Sequence, residues 1–316
     1  MRRILLVLAL ALVMGAAPAL DYPTKNINIV VPYGAGGASD LATRAVVDCV
    51  PAGTLPSGVS FVITNMPGGS GLIGTNYVVN GRSDGYTLCS ITGDFMYSRA
   101  RGTTDLPADS FTPLIWSQVD PYIIIVKKGA PYQTLAELVD YAKANPGKVK
   151  FADSGPGAVP HLVAIALRKA LDIDVKTISY DTSLEGAIAV VNEEAHASAM
   201  HSTAAAGQLR AGEVIPIAVS ANVRTSLFPD VPTIAEVFPD QASDINIVST
   251  ISISAPKGTP PEVVDYLRKV FDTAVKTDAY KQKQKAFQAQ DISHYTVDDI
   301  VNLYTQLSTY YEELTK

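Results

Sequence analysis

The sequence predicts an α/β protein built as two units that face each other across a cleft. Three observations carry this. Strand and helix signals alternate from residue 27 onward, the order expected of a parallel sheet covered on both faces. The succession strand, glycine loop, helix occurs twice, in VVPYGAGGASDLATR (30–44) and in KVKFADSGPGAVPHLVAIALRKA (148–170). The 316 residues are enough for two hydrophobic cores.

The elements follow in order. INIVVPY (27–33) reads as a strand and SDLATRAVVDCV (39–50) as a helix. SFVITNM (60–66) is the second strand, and PGGSGLIGTNYVVN (67–80) opens on glycines and turns helical from about Leu72. GYTLCSI (85–91) is the third strand. PYIIIVKKG (121–129) is a fully apolar strand. TLAELVDYAKANPG (134–147) is an amphipathic helix that Thr134 caps with Glu137, and Pro146-Gly147 ends it. The second glycine unit has its strand at 149–152, its loop at Asp153-Ser154-Gly155-Pro156-Gly157, and its helix from about Pro160 to Leu171. Strand VKTISY, helix SLEGAIAVVNEE and strands ASAMHS and VIPIAVS come next. RTSLFPDVPTIAEVFPD (224–240) is a proline-rich connector, and IVSTISISAPKG (247–258) is a late strand. PPEVVDYLRKVFDTAVK is a strong helix with Thr259 as its expected cap and Val263, Val264, Leu267, Val270 and Phe271 on one face. TVDDIVNLYTQLSTYYEEL (296–314) is the last helix.

Hydrophobic content of 47% and charged content of 18% describe a globular chain. The net charge of -6, with no basic block, argues against nucleic acid as a partner. MRRILLVLALALVMGAAPAL has two arginines, an apolar run and Ala17-Pro18-Ala19, the anatomy of a signal peptide cleaved after Ala19. Export to an extracytoplasmic or periplasmic compartment follows. Cys49 and Cys89 then read either as a disulfide or as two buried thiols. A lone cysteine pair is no metal site, and no cofactor is expected.

A glycine loop between strand and helix is an anion cradle, because first-turn N–H groups and the helix dipole both favour negative charge. A dinucleotide fingerprint needs a third glycine, but Ser39 stands there, and no acidic residue follows about twenty positions on. A phosphate loop needs Lys followed by Ser or Thr, and the chain has Ala38-Ser39-Asp40. A bare cradle for a carboxylate remains. Asp40 either stabilises the dipole by position or touches a ligand hydroxyl, amine or water. Catalysis has little support: no G-x-S-x-G elbow occurs, and His161, His196, His201 and His294 show no H-E-x-x-H spacing.

Four segments resemble, in order, the extracytoplasmic solute-binding proteins of tripartite tricarboxylate transporters, the Bug family. They are YPTKNINIVVPYGAGGASDLATRAV, NMPGGSGLIGTNYVVNGRSDGYTL, FADSGPGAVPHL and FPDVPTIAEVFPD, and the resemblance they mark runs in order along nearly all of the chain after the signal segment. The resemblance implies a two-domain periplasmic binding protein of type II, the Venus-flytrap fold, that is not an enzyme. Residues 20–120 and 245–316 form the first domain and 121–244 the second. It implies a small carboxylate ligand, di- or tricarboxylate or aromatic, delivered by a monomer to membrane permease subunits. By motif, Tyr33, Gly36, Gly37, Ser39 and Asp40 belong to one wall, and Ser154, Gly155, Gly157 and His161 to the other. His161 reads equally as a capping or packing residue. Asp94, after the third strand, is a further wall candidate. The chain departs from the family at ISYDTSLEG, where Tyr180 is kept but Asp181 replaces a basic residue, and at ASAMHS, which brings in His201. Both departures bear on the distal end of the ligand, although Asp181 also reads as solvent-facing. Alternatives to transport are an exported ligand sensor and, less supported, an exported hydrolase.

Overall fold

The computed structural model describes residues 21–314 apart from 157, 223, 226, 288 and 290–295. The signal segment therefore lies outside the described residues. The chain forms two five-stranded sheets, each flanked by helices.

The first sheet is built from β1 (Ile27–Val31), β2 (Phe61–Asn65), β3 (Thr87–Thr92), β4 (Phe111–Pro121) and β10 (Val248–Pro256), in the order β2-β1-β3-β10-β4. Helices α1 (Ala38–Val47), α2 (Leu72–Val79) and α3 (Gly93–Ala100) follow β1, β2 and β3. The second sheet holds β5 (Ile123–Lys127), β6 (Val149–Asp153), β7 (Val175–Ser179), β8 (Ala197–Met200) and β9 (Val214–Val219), in the order β7-β6-β8-β5-β9. Its helices are α4 (Leu135–Ala144), α5 (Val159–Leu171), α6 (Ser183–Val191), α7 (Ala206–Ala211) and α8 (Ile234–Val237). Three helices end the chain: α9 (Pro261–Val275), α10 (Asp278–Ala286) and α11 (Val297–Leu314).

Neither sheet is purely parallel, which corrects the expectation from alternation alone. β1 pairs parallel with β2 and β3, but β10 runs antiparallel to β3 and β4. β6 pairs parallel with β7 and β8, but β5 runs antiparallel to β8 and β9. β5 and β10 are the strands by which the chain enters a sheet from the other one. A strand arriving that way is not the second strand of a βαβ unit within its own sheet, so the parallel direction is not imposed on it. The two crossings are stitched together: Ser220 N–H donates to Tyr122 O (3.0 Å), Tyr122 N–H to Ser220 Oγ (3.1 Å), and Ile247 N–H to Ser220 O (2.8 Å).

Sequence reasoning overlooked β4 because Pro113 and Pro121 interrupt FTPLIWSQVDP. Both are tolerated because β4 is an edge strand, paired by β10 on one side. It overlooked α10 because DAYKQKQKA is polar almost all round. The Thr134–Glu137 capping box forms as expected. Thr259 does not cap α9. The helix starts one residue later, Pro260 takes the cap position, and the Thr259 hydroxyl donates back to Pro256 O (2.8 Å). The five residues expected on the apolar face of α9 are all buried, with Phe271 stacked on Phe61 at 4.9 Å. Cys49 and Cys89 are free, buried thiols. Among the described residues no helix is long and apolar enough to cross a membrane.

The glycines of the second motif have unequal duties. Gly74 lies in α2 where that helix crosses the end of β1. A methyl group there would sit 2.9 Å from Pro32 Cβ and 3.0 Å from the Met66 carbonyl. Overpacking of this kind costs ~1–3 kcal/mol, against ~1 kcal/mol gained in helix propensity. Gly74→Ala is therefore expected to lower the urea midpoint of unfolding; an unchanged or raised midpoint would show that Pro32 yields.

Candidate ligand-binding site

Each of β1, β3, β6 and β7 hands its chain to a helix, α1, α3, α5 and α6, at the carboxyl edge of its sheet. Ligands of open α/β sheets bind at that edge. The two edges meet. Ser70 Oγ donates to Pro156 O across the gap (2.9 Å), and Val159 N–H donates to Asp94 Oδ1 (2.5 Å). Between them lies a cavity of about 20 Å³, lined by Tyr33, Gly37, Ala38, Ser39, Thr92 and Asp94 from one side and Ser154, Pro160, Asp181, Thr182, Ser183 and His201 from the other. That is room for about one water molecule, so the walls are close together at the start of α1, and the gap widens beyond Tyr33, Ser154 and Asp181.

The first loop is built around Asp40. Its carboxylate accepts the Gly36 N–H (2.9 Å), Arg44 Nε (2.9 Å) and Asn65 Nδ2 (3.0 Å), and Asn65 Nδ2 also donates to Tyr33 O (3.0 Å). Burial pushes the Asp40 carboxyl up, but the donors from Arg44, Gly36 and Asn65 outweigh it and hold it below the usual range. Asp40 thus braces the loop, and Gly36, at φ +80°, supplies the left-handed turn that lets its N–H reach the carboxylate. Gly34 and Gly37 allow close approach instead. A Cβ on Gly34 would lie 2.8 Å from the Thr182 methyl of the opposite wall. No side chain caps α1, whose cap residue is Gly37. Its first-turn N–H groups therefore lie open toward the cavity that Gly37, Ala38 and Ser39 line.

The second loop is built around Asp153, at the end of β6. Its carboxylate accepts Gly155 N–H (2.8 Å) and Ser179 Oγ–H (2.9 Å), and His161 Nδ1 lies 2.6 Å from Oδ2. Asp153 went unnoticed as a functional residue, although it directly precedes Ser154-Gly155-Pro156-Gly157. His161 is a clamp on this loop rather than part of the cavity wall. α6 carries its own capping box, Thr182 with Glu185, legible in the sequence as Thr-x-x-Glu.

Asp94 joins the two halves. It is buried in the first turn of α3, and its Oδ2 accepts from the Tyr33 hydroxyl and from Thr92 Oγ1 (3.2 Å). Burial pushes its carboxyl up, while Tyr33, Val159 and Thr92 as donors pull it down; the net direction is upward. The Tyr33 phenol is committed to Asp94 and to Ser70 O (3.1 Å). His201 is 7% exposed, its ring 4.9 Å from that of Tyr122, and burial pushes it down to about 3.

Of the residues marked out by sequence, the structure brings Tyr33, Gly37, Ser39, Asp94, Ser154, Asp181 and His201 to one cavity. Gly155 and Tyr180 line an adjoining depression of about 490 Å³, together with the 68–72 turn. Gly36, Asp40 and His161 stand behind the walls, and Gly157 lies outside the described residues. Ala38, Thr92, Pro160, Thr182 and Ser183 were not foreseen. Among the described residues no group of three metal-ligating side chains occurs.

The family model for the tripartite tricarboxylate transporter family receptor matches residues 54–303. The chain belongs to this family. It is a solute-binding receptor of the periplasmic type and not an enzyme. Protein BugT of Bordetella pertussis is 27% identical over 286 residues, 87% of this chain and 83% of that protein. Among solved structures, the periplasmic binding protein BugD superposes with a TM-score of 0.83 at 26% identity, covering 93% of this chain and 97% of its own. Rpa4515 of R. palustris, solved with adipate, gives 0.83 and 26% over the same shares. Two α/β units around a cleft are thus the expected periplasmic binding protein fold.

His201 makes a prediction about acid stability. Its folded form stays neutral down to about pH 3, whereas the unfolded chain takes up the proton near pH 6.5. The unfolded state binds more protons in that window, so stability falls as pH falls through it, by up to ~1.4 kcal/mol per unit from this group. His201→Gln should flatten the pH dependence of the urea-derived stability between pH 6.5 and 4; equal slopes would place His201 in water.

Proposed function

We propose that this receptor captures a small carboxylate between its two units and presents it to the membrane permease subunits of a tripartite tricarboxylate transporter. One observation carries the reading: α1 begins at the cavity with no side-chain cap, and the carboxylate of its first turn, Asp40, is turned away to Gly36, Arg44 and Asn65. One ligand carboxylate satisfies the open N–H groups and gains about 0.3–1 kcal/mol from the helix dipole, more once the cleft shuts. Tyr33, Gly37 and Ser39 form its surroundings on one side, and Ser154, Asp181, Thr182 and His201 close over it from the other. The relative solved with adipate supports a carboxylate as ligand. A cavity of about 20 Å³ admits no such molecule. Binding therefore runs through opening at the Tyr122–Ser220–Ile247 crossings, and the ligand stabilises the closed form by touching both walls at once.

A thermal-shift screen against mono-, di- and tricarboxylates, aromatic ones included, tests this. At least one should raise the melting midpoint progressively with concentration; a hundredfold excess over Kd adds about 2.7 kcal/mol. Gly34→Val should melt normally without ligand but lose most of that shift, since the added side chain meets Thr182 only on closure. No shift from any carboxylate, with none released from the denatured protein, would sink the proposal.

A further inference from the structure

We propose that Asp94 sets the ligand class of this cleft, admitting one ligand carboxylate and selecting a hydrogen-bond donor, hydroxyl or ammonium, over a second carboxylate at the far end. This rests on the receptor reading above and names the chemistry of the same site.

The reason is that the second anion position is already filled by the chain itself. At the start of α5 the Val159 N–H donates to Asp94. Pro160 has no N–H, and the N–H groups of His161 and Leu162 both turn to Ala158 O, at 3.1 and 3.3 Å. No donor at that helix start is left for a ligand carboxylate. At α6 the Thr182–Glu185 capping box takes the Thr182 and Glu185 N–H groups, which leaves that helix start only partly open. Among the described residues no lysine or arginine lines the cavity, while Asp181 does.

Burial raises the Asp94 pKa, and its place between the N-terminal ends of α3 and α5 works in the other direction, toward the carboxylate. Tyr33, Thr92 and Val159 all donate to it, and each of these bonds favours the carboxylate over the protonated acid, against the opposing effect of burial. A carboxylate has about four acceptor positions, and three are used. The fourth accepts a ligand O–H or N–H. A second ligand carboxylate brought to the same place would meet the like charge of Asp94, and the start of α5 has no donor left to offset it. This is specificity through a repulsive element.

The experiment is calorimetric titration of the purified protein with matched ligands: succinate, glutarate and adipate against the ω-hydroxy and ω-amino monocarboxylates of four, five and six carbons. The wild type should bind at least one ω-hydroxy or ω-amino acid at least about tenfold more tightly than the diacid of equal length. Asp94→Ser removes the charge and should cut that ratio about tenfold or invert it. Asp94→Asn keeps the shape and an acceptor for Val159 N–H, and should move the ratio the same way even where Asp94→Ser folds poorly. A wild type that prefers diacids, or a preference unchanged in either folded variant, overturns the assignment of Asp94 and leaves the receptor reading standing. Binding of none of these compounds, nor of any other carboxylate, overturns both.

Discussion

Every helix begins with N–H groups that it cannot satisfy itself, and here four helices begin at one place. That convergence governs the architecture of the cleft. α1, α3, α5 and α6 each follow a strand at the carboxyl edge of a sheet, so their positive ends point into the same small space. Left unanswered, these ends would repel one another and leave buried donors unpaired, at ~1–3 kcal/mol each. The chain answers part of this internally. Thr182 caps the Glu185 N–H of α6, the Asp94 carboxylate lies in the first turn of α3, and the same carboxylate reaches across to the first N–H of α5. The uncapped start of α1 is the place proposed above for the ligand.

Behind the walls, two further carboxylates shape the loops. Asp40 and Asp153 occupy comparable places, one in each unit, and each gathers a backbone N–H, a neighbouring hydroxyl or amide, and a basic side chain. Arg44 serves Asp40, and His161 serves Asp153. The duplication visible in the sequence as two glycine loops thus extends to the acid that fixes each loop. It also explains why the cavity wall itself carries so little positive charge: the basic residues are spent on the loops' own acids.

How much of this was legible follows from the range of the forces involved. Local signals were readable. The glycine loops, the Thr134 capping box and the apolar face of α9 depend on neighbours within one turn or one strand. Features set across the chain were not. β4 hides behind Pro113 and Pro121, which only its edge position excuses, and the antiparallel entry of β5 and β10 is a property of where the chain crosses. The same divide runs through the site. Tyr33, Gly37, Ser39, Asp94, Ser154, Asp181 and His201 could be named from motif and position. That Asp94 reaches Val159, 65 residues away, could not. Nor could the part of Thr182, a cap for its own helix and at the same time the group that meets Gly34 across the cleft.

The bond from Val159 to Asp94 also bears on how such a receptor switches. A ligand moves an open–closed equilibrium only by its differential affinity for the two forms. A group that ties the walls together without ligand stabilises the closed form in advance, and so reduces what the ligand must supply. The cost is selectivity for closure: the nearer the unliganded equilibrium lies to closed, the less the closed shape reports on occupancy. Two contacts limit this. The bond is a single N–H to a carboxylate that Tyr33 and Thr92 hold in any case, so opening leaves Asp94 partnered and only Val159 exposed to water. Ser70 Oγ to Pro156 O is likewise an exposed bond that water replaces easily. The closing contacts are thus weak in net terms while their geometry is specific, which suits a cleft that must open to load and again to release.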